Sequence, residues 1–259
     1  MPEFTRVLST TEIHNFRDYG NYPIVGGARL KARILYRSGE HANATDQDLR
    51  CVAQCGLVNM VDLRGLSERE RAPSRTPAGA PIPVICADGE TTHAPHLSAG
   101  SGAFDAATAR RNMCGRYAEI PFRPALVELY RRYFRSLVLT GGPSLVCCTA
   151  GKDRTGILVA LLHCALGVHR DDIFSDYMLT NVAGNVDARI AALRGDLQLR
   201  FGAAMSDDAI RVVTSVEASF LQSAFDAIVE RCGDLTSYVE KILGVTHEDR
   251  QELVARLAS

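Results

Sequence analysis

The sequence has no large excess of charge of either sign. Its 259 residues contain 29 Lys and Arg against 30 Asp and Glu, a formal net charge of −1. A chain that binds nucleic acid over a broad surface carries a basic excess, so this composition argues against a nucleic-acid partner. Any attraction for phosphate must therefore be local and built from a few residues at one site.

Long apolar runs are missing as well. The first residues, Met1–Arg6, lack the apolar core of a secretory signal peptide. No stretch approaches the roughly 20 apolar residues that a membrane-spanning helix needs. We therefore expect a cytoplasmic protein without stable membrane insertion, while export by a route that needs no signal peptide stays open.

The chain also lacks repeats, low-complexity tracts and a clear linker, so we expect one domain over residues 1–259. Its eight cysteines are scattered and do not resemble the framework of a disulfide-rich secreted domain, which favours a reducing compartment. They are Cys51, Cys55, Cys86, Cys114, Cys147, Cys148, Cys164 and Cys232.

Apolar runs and turn signals predict an α/β fold with a central, mostly parallel sheet flanked by helices. Thr45 is a plausible cap for a helix that ends near Gly56, and buried strands are expected at 57–63, 82–85 and 143–147. An amphipathic helix is expected at 121–139 and a buried apolar helix at 157–168. From Arg170 onward almost the whole chain is typical of helices.

Residues 88–116 are rich in Gly, Ala, Ser, Thr and His. A connection of this length inside a compact domain predicts a mobile or lid-like segment. His93 and His96 lie in it, but two histidines without nearby carboxylate or cysteine ligands are weak evidence for a metal site. We expect neither a metal nor a cofactor.

The most informative stretch is residues 146–156, Val-Cys-Cys-Thr-Ala-Gly-Lys-Asp-Arg-Thr-Gly. A strand, a loop of small residues and a helix start form an anion cradle, because backbone N–H groups converge there with the positive end of the helix. Cys148 lies at its floor, where the same field should favour the thiolate. The planar fork of Arg154 can grip two phosphate oxygens. The expected phosphate-binding residues are Thr149, Ala150, Gly151, Lys152, Asp153 and Arg154.

This loop resembles the Cys-x5-Arg-Ser/Thr signature of the cysteine-dependent protein tyrosine phosphatases. Over essentially its whole length the chain resembles the atypical bacterial members of that family, whose loop contains Gly-Lys-Asp-Arg-Thr-Gly. Further motifs carry the resemblance: Asn15–Gly20, Leu35–Gly39, Val61–Arg64, Glu68–Arg69, Asp176–Asn181 and Tyr238–Val245. One departure is Cys147, which stands where the family usually has histidine.

The resemblance implies a tyrosine-phosphatase-like fold and a phosphocysteine formed on Cys148. It implies phosphorylated substrates, which in this family range over phosphotyrosine, phosphoserine/threonine and phosphoinositides. Cys148 would attack phosphorus in line while Arg154 and the loop N–H groups stabilise the equatorial oxygens. Thr155 is expected to donate a hydrogen bond to the Cys148 sulfur.

Two carboxylates are candidates for the acid that protonates the leaving oxygen. Asp153 resembles the loop aspartate on which family activity depends. Asp62 ends a buried strand, where it would either overhang the cradle or pair with Arg64 or Arg17. Lys152 would add a second cation at the rim, suited to substrates with more than one phosphate, or else be a solvated lysine.

Two alternatives stay open at this point. The chain would be a phosphate-binding pseudophosphatase if the loop holds a phosphorylated partner without turnover, and the missing entrance histidine is the mark in favour. In addition, Cys147 or Cys164 would trap an oxidised Cys148 if it lies close enough, although a free cysteine is more often a small buried hydrophobe.

Overall fold

The computed structural model describes residues 5–79, 81–92, 105–191 and 206–259. A five-stranded sheet lies at its centre, with strands β1 Arg17–Asp18, β2 Leu35–Ser38, β3 Asn59–Asp62, β4 Val84–Cys86 and β5 Ser144–Cys147. The strand order is β1-β2-β5-β3-β4, and only β1 pairs in the antiparallel sense. The predicted mostly parallel sheet is confirmed.

Helices make up most of the remaining described chain and nearly all of its C-terminal part, as predicted. A 3-10 turn at Ile120–Phe122 precedes the fourth helix, and residues 186–191 are also helical. The helices are α1 Asp46–Gln54, α2 Leu66–Arg71, α3 Ala106–Glu119, α4 Pro124–Thr140, α5 Asp153–Ala165, α6 Arg170–Met178, α7 Thr180–Ala183, α8 Asp207–Thr214, α9 Ala218–Cys232, α10 Leu235–Lys241 and α11 His247–Leu257.

Strand β5 separates two apolar clusters, because successive residues of a strand point to opposite faces. Leu145 and Cys147 belong to the smaller cluster, beneath α1. Val146 and Cys148 belong to the larger cluster, which contains the buried helix α5. The last residue before the loop and the first residue in it therefore face different interiors.

Three parallel strands end together at one edge of the sheet. Cys147 of β5 is in register with Ser38 of β2 on one side and with Asp62 of β3 on the other. The loop 148–152 leaves the sheet at this edge, and α5 begins at Asp153. The carboxyl ends of parallel strands are where α/β folds place ligands.

The expected long connection over 88–116 is shorter than predicted. Residues 106–116 belong to α3, whose cap Asp105 accepts a hydrogen bond from the Thr108 N–H at 2.8 Å. Ala109, Met113 and Tyr117 recur at a spacing of four and bury one face of this helix. His93 and His96 lie outside the described residues, and the lid role stays a prediction.

No single helix in the described part of the chain is long and apolar enough to cross a membrane. Helices α8 and α9 reach the necessary length only as a pair that is bent by 54°. The described residues also contain no group of three or more His, Cys, Asp and Glu side chains able to hold a metal ion.

Candidate active site

The loop 148–154 runs from the end of β5 into the first turn of α5, as predicted. Gly151 has a φ of +60°, and a Cβ there would lie 2.4 Å from the carbonyl oxygen of Ser38 and 2.7 Å from the nitrogen of Gly39. A side chain at this position is therefore excluded both by the backbone conformation and by the end of β2. Glycine lets the loop lie directly on the edge of the sheet.

The Gly151 carbonyl is held by two donors from beneath the loop. Asn15 Nδ2 donates to it at 2.6 Å and Arg37 Nη2 at 2.9 Å. The described peptide bonds are all trans, so the N–H of Lys152 points away from this carbonyl. Fixing the carbonyl on the buried side thus turns the next N–H toward the opposite, cradle side.

Arg37 is one member of a buried ion cluster below the loop. Arg37 Nη1 lies 2.8 Å from Asp176 Oδ2, and Arg17 Nε lies 3.3 Å from Asp176 Oδ1. Burial alone would raise the pKa of Asp176, but the two guanidinium groups hold it well below its usual range. The family motifs that contain these residues gave no sign of this pairing, because it joins distant parts of the chain.

The adjacent cysteines have different surroundings. Cys148 lies at the floor of the loop and is 3% exposed. Burial, reinforced by the neighbouring Asp62 carboxylate, raises the pKa of the Cys147 thiol well above its usual value, and burial raises that of Cys164 to about 12. Both remain neutral thiols, so the packing interpretation fits them better than a redox role.

Arg154 is gripped by Glu68 in this structure. Its Nη1 lies 2.6 Å from Glu68 Oε2 and its Nη2 lies 2.8 Å from Oε1, a two-pronged contact. The two nitrogens also donate to Leu63 O, Thr91 Oγ1 and Thr149 Oγ1 at 3.0–3.1 Å. The fork expected to hold phosphate is thus occupied by a carboxylate, while Nε makes no hydrogen bond to a described residue.

Glu68 had no predicted role, although it belongs to a quoted family motif. Its Oε2 accepts the Gly65 N–H at 2.9 Å and so caps α2, and its Oε1 accepts from the Thr149 hydroxyl at 2.6 Å. Burial opposes ionisation, yet Arg154 and Thr149 lower the pKa of Glu68 to about 2. The cap of α2 and the loop 148–154 therefore share one carboxylate.

Asp153 lies at the start of α5, and its carboxylate contacts Tyr117 and Lys152. Its Oδ1 accepts from the Tyr117 hydroxyl at 2.7 Å and lies 3.3 Å from Lys152 Nζ. Burial favours the neutral form, but Lys152, Arg116 and the Tyr117 hydroxyl together lower the pKa of Asp153. The carboxylate is therefore ionised at neutral pH.

Lys152 is neither a cation at the rim nor a solvated lysine, so both interpretations of its side chain are wrong. Its side chain is buried, and Nζ donates to the carbonyls of Val213 at 2.6 Å and Ser215 at 3.0 Å. The long stem reaches the carboxyl end of α8, where free carbonyls attract a cation. In this arrangement only the backbone N–H of Lys152 is available for phosphate.

Asp62 pairs with Arg64, one of the alternatives that the sequence left open. Its Oδ1 accepts from the Arg64 backbone N–H and Nε at 3.0 Å, and its Oδ2 accepts from Nη2 at 2.7 Å. Both oxygens are thus engaged, and its register partner Cys147 faces away from the loop. The geometry gives Asp62 a structural role and gives no support to an acid role.

Thr149, Ala150 and Thr155 are the other predicted site residues in and after the loop. Thr149 contributes its hydroxyl to Glu68 and its carbonyl to the Glu40 N–H at 3.2 Å. Ala150 lies beside Asn15, whose Nδ2 is 3.4 Å from its carbonyl oxygen. The Thr155 hydroxyl is buried and makes no hydrogen bond to a described residue, so its expected bond to the Cys148 sulfur is not formed here.

Comparison with known proteins agrees with this geometry. A sequence model of the tyrosine phosphatase family matches residues 8–259. A Cupriavidus necator protein named as a tyrosine-protein phosphatase is 32% identical over 251 residues, covering 92% of this chain and 84% of that protein. Triple specificity protein phosphatase PtpB of Mycobacterium tuberculosis is 30% identical over 257 residues, covering 87% and 90%. The chain therefore belongs to the tyrosine phosphatase family, and it is a cysteine-dependent protein tyrosine phosphatase.

Proposed function

We propose that this protein hydrolyses phosphotyrosine without a metal, through a phosphocysteine on Cys148. One observation carries the proposal: Cys148 lies at the carboxyl end of β5, at the floor of a loop that Arg154 closes and that leads into the first turn of α5. Backbone N–H groups and a helix start converge on this position, where a phosphate would sit in line with the sulfur.

In the first step the Cys148 sulfur forms a bond to phosphorus while the phosphorus–oxygen bond to the tyrosine breaks. In the second step water forms a new bond to phosphorus and Cys148 leaves as thiolate. Loop N–H groups and Arg154 stabilise the charge on the equatorial oxygens in both steps. For both terminal nitrogens of Arg154 to donate to phosphate, at least one of the two hydrogen bonds from Arg154 to Glu68 has to break.

Asp153 is the better candidate for the acid. Its Oδ2 makes no hydrogen bond to a described residue, whereas both oxygens of Asp62 are bound by Arg64. A phosphate dianion brought beside Asp153 opposes the effect of its cationic neighbours and favours the protonated carboxyl. We therefore assign the proton transfers to Asp153.

The proposal extends to phosphoserine/threonine and phosphoinositide substrates. Its support is the similarity to the relative named a triple specificity protein phosphatase. The buried Lys152 ammonium gives no independent physical reason for a second phosphate site. Turnover of phosphopeptides and of phosphoinositides in vesicles, compared in one assay, tests this extension.

The first prediction tests the phosphocysteine. The substitution Cys148→Ser should abolish turnover of an aryl phosphate in the presence of a chelator, because a hydroxyl is a far weaker nucleophile, while vanadate still binds. Cys147→Ser is the matched control and should keep most of the activity, because Cys147 faces the other side of the sheet.

Trapping of a phosphorylated Cys148 by rapid quench and mass spectrometry would demonstrate the phosphocysteine directly. Strong turnover in Cys148→Ser would move the nucleophile elsewhere. Binding of vanadate by a wild type that never turns over would instead establish the pseudophosphatase alternative.

A further inference from the structure

Two buried tyrosines behind the active site form a chain of hydroxyl groups that ends on Asp153. Tyr177 of α6 donates to the hydroxyl of Tyr117 of α3 at 2.7 Å, and Tyr117 donates to Asp153 Oδ1 at 2.7 Å. Neither tyrosine is exposed. Burial raises the pKa of both well above its usual value, so both remain neutral hydroxyls.

The chain has a fixed direction. A carboxylate only accepts hydrogen bonds, so Tyr117 donates its single O–H hydrogen to Asp153 and accepts the hydrogen bond from Tyr177. Asp153 Oδ1 therefore accepts the Tyr117 hydrogen bond and lies 3.3 Å from the Lys152 ammonium nitrogen. Oδ2 makes no hydrogen bond to a described residue, so a proton taken up by Asp153 goes to Oδ2.

We propose that Tyr117, supported by Tyr177, is a positioning residue that anchors Oδ1 and so directs Oδ2 of Asp153 at the reacting oxygen. This inference rests on the proposed function and deepens it. In the first step the Oδ2 proton passes to the leaving oxygen as its bond to phosphorus breaks. In the second step Oδ2 takes a proton from the attacking water as the sulfur–phosphorus bond breaks, which restores the starting state.

Several charged groups face Asp153 from the elements around it. Lys152 and Arg154 flank it in the chain, Arg116 approaches from α3 and Arg189 from the helical residues 186–191. All are cations that favour the carboxylate. Tyr117 adds a hydrogen bond to the same ionised form, so its loss should make Asp153 easier to protonate as well as less well oriented.

The second prediction compares Tyr117→Phe with Tyr177→Phe, which removes the next hydroxyl of the same chain. Each variant removes one buried hydroxyl and keeps the ring. For kcat/KM on a series of aryl phosphates, which reports the first step alone, Tyr117→Phe should lose about 10-fold with poor leaving groups and less than about 2-fold with activated ones, because the acid matters most when the leaving oxygen is basic. The basic limb of the pH–rate profile of Tyr117→Phe should move to higher pH, because Asp153 is then easier to protonate. The kcat/KM of Tyr177→Phe with poor leaving groups should lie between that of Tyr117→Phe and that of wild type.

A double-mutant cycle with Asp153→Asn decides whether Tyr117 acts through Asp153. Adding Tyr117→Phe to Asp153→Asn should cause no further leaving-group-dependent loss. An equal loss on every substrate, or additive losses in the cycle, would make Tyr117 a merely structural residue and overturn the inference. If Tyr117→Phe does not fold, the leaving-group dependence of Tyr177→Phe decides instead, and an unchanged dependence overturns it.

The outcomes separate this inference from the proposed function. A wild type without turnover would reject the function itself. A wild type with normal turnover and an Asp153→Asn variant that shows no leaving-group dependence would leave the function standing and reject the role of Tyr117.

Discussion

Single residues in this site differ sharply from their immediate neighbours. Cys147 and Cys148 are adjacent, yet one packs beneath α1 and the other lies at the floor of the loop. Lys152 and Asp153 form an ion pair, but the lysine ends at α8 carbonyls while the carboxylate stays in the site. Side-chain direction, more than position in the sequence, thus decides which residue meets the substrate.

Glu68 shows how one residue can couple stability to pH. Its pKa is lowered from the ordinary 4.5 to about 2. The folded state therefore binds the proton less readily than the unfolded chain. The resulting stabilisation is fully present above pH 4.5 and is lost as pH falls toward 2. A shift of this size corresponds to about 3 kcal/mol.

The third prediction follows for Glu68→Gln. The variant should be less stable than wild type at pH 7, by up to about 3 kcal/mol, and the difference should shrink as pH falls from 4.5 to 2. Urea unfolding across that range measures it. Glu128→Gln is the control, because Glu128 is exposed and its ion pair with Arg131, at 3.8 Å, is long and weak. A constant difference between Glu68→Gln and wild type at all pH values would contradict the role of the charge.

At the scale of elements, local signals were sufficient where the structure is local. The Thr45 cap of α1 is confirmed: its Oγ1 accepts the Asp48 N–H at 3.1 Å, and the Asp48 carboxylate accepts the Thr45 N–H. Helix α3 was missed because the small polar residues before it obscured the start at Asp105, and its buried face depends on contact with α9. Composition indicates a turn-rich segment, but it does not show at which residue the segment ends and the packed helix α3 begins.

The phosphate loop is the element with the strictest backbone requirement. The fourth prediction compares Gly151→Ala with Gly56→Ala, since the two glycines have φ values of +60° and +61°. A Cβ at Gly56 would meet no atom within 4 Å, so its substitution should cost only about 1 kcal/mol. In Gly151→Ala the new Cβ would also clash with the Ser38 backbone, so the free energy of unfolding should fall by more than about 3 kcal/mol.

Activity gives a second measurement on the same pair. Displacing the loop should lower kcat/KM of Gly151→Ala by at least about 100-fold, whereas Gly56→Ala stays close to wild type. Thermal unfolding and aryl phosphate turnover measure the two effects. Equal stability losses in the two variants would show that the contact with β2 does not constrain the loop.

At the scale of the whole molecule, the Arg17–Asp176–Arg37 cluster joins β1, β2 and α6 to the loop. Arg17 and Asp176 are 159 residues apart in the chain, and Arg154 and Glu68 are 86 apart. Residue types and spacing predicted the sheet, the loop, Cys148 and Arg154. They could not pair charges across such separations, which is why Glu68 and Tyr117 were missed and Lys152 was misplaced.

The fifth prediction concerns this cluster. Asp176→Asn leaves two buried guanidinium groups without their counter-ion and should cost about 3–5 kcal/mol. Glu128→Gln removes one partner of an exposed pair and should cost less than about 1 kcal/mol. Urea unfolding measures both, and one shared transition would also support a single domain over residues 1–259. A loss below about 1 kcal/mol for Asp176→Asn would show that solvent reaches the cluster.

The strand order has a consequence for biosynthesis. Strand β5 lies between β2 and β3 and is parallel to both, although it follows them in the chain by about a hundred residues. A nascent chain that ends before Ser144 therefore has two halves of a sheet with open facing edges and no strand to join them. Open edges are templates for pairing with other chains, so the ribosome-bound intermediate is exposed to such pairing until β5 has emerged. The strand that completes the sheet is also the one that leads into Cys148, so the proposed nucleophile is placed only when β5 joins the sheet.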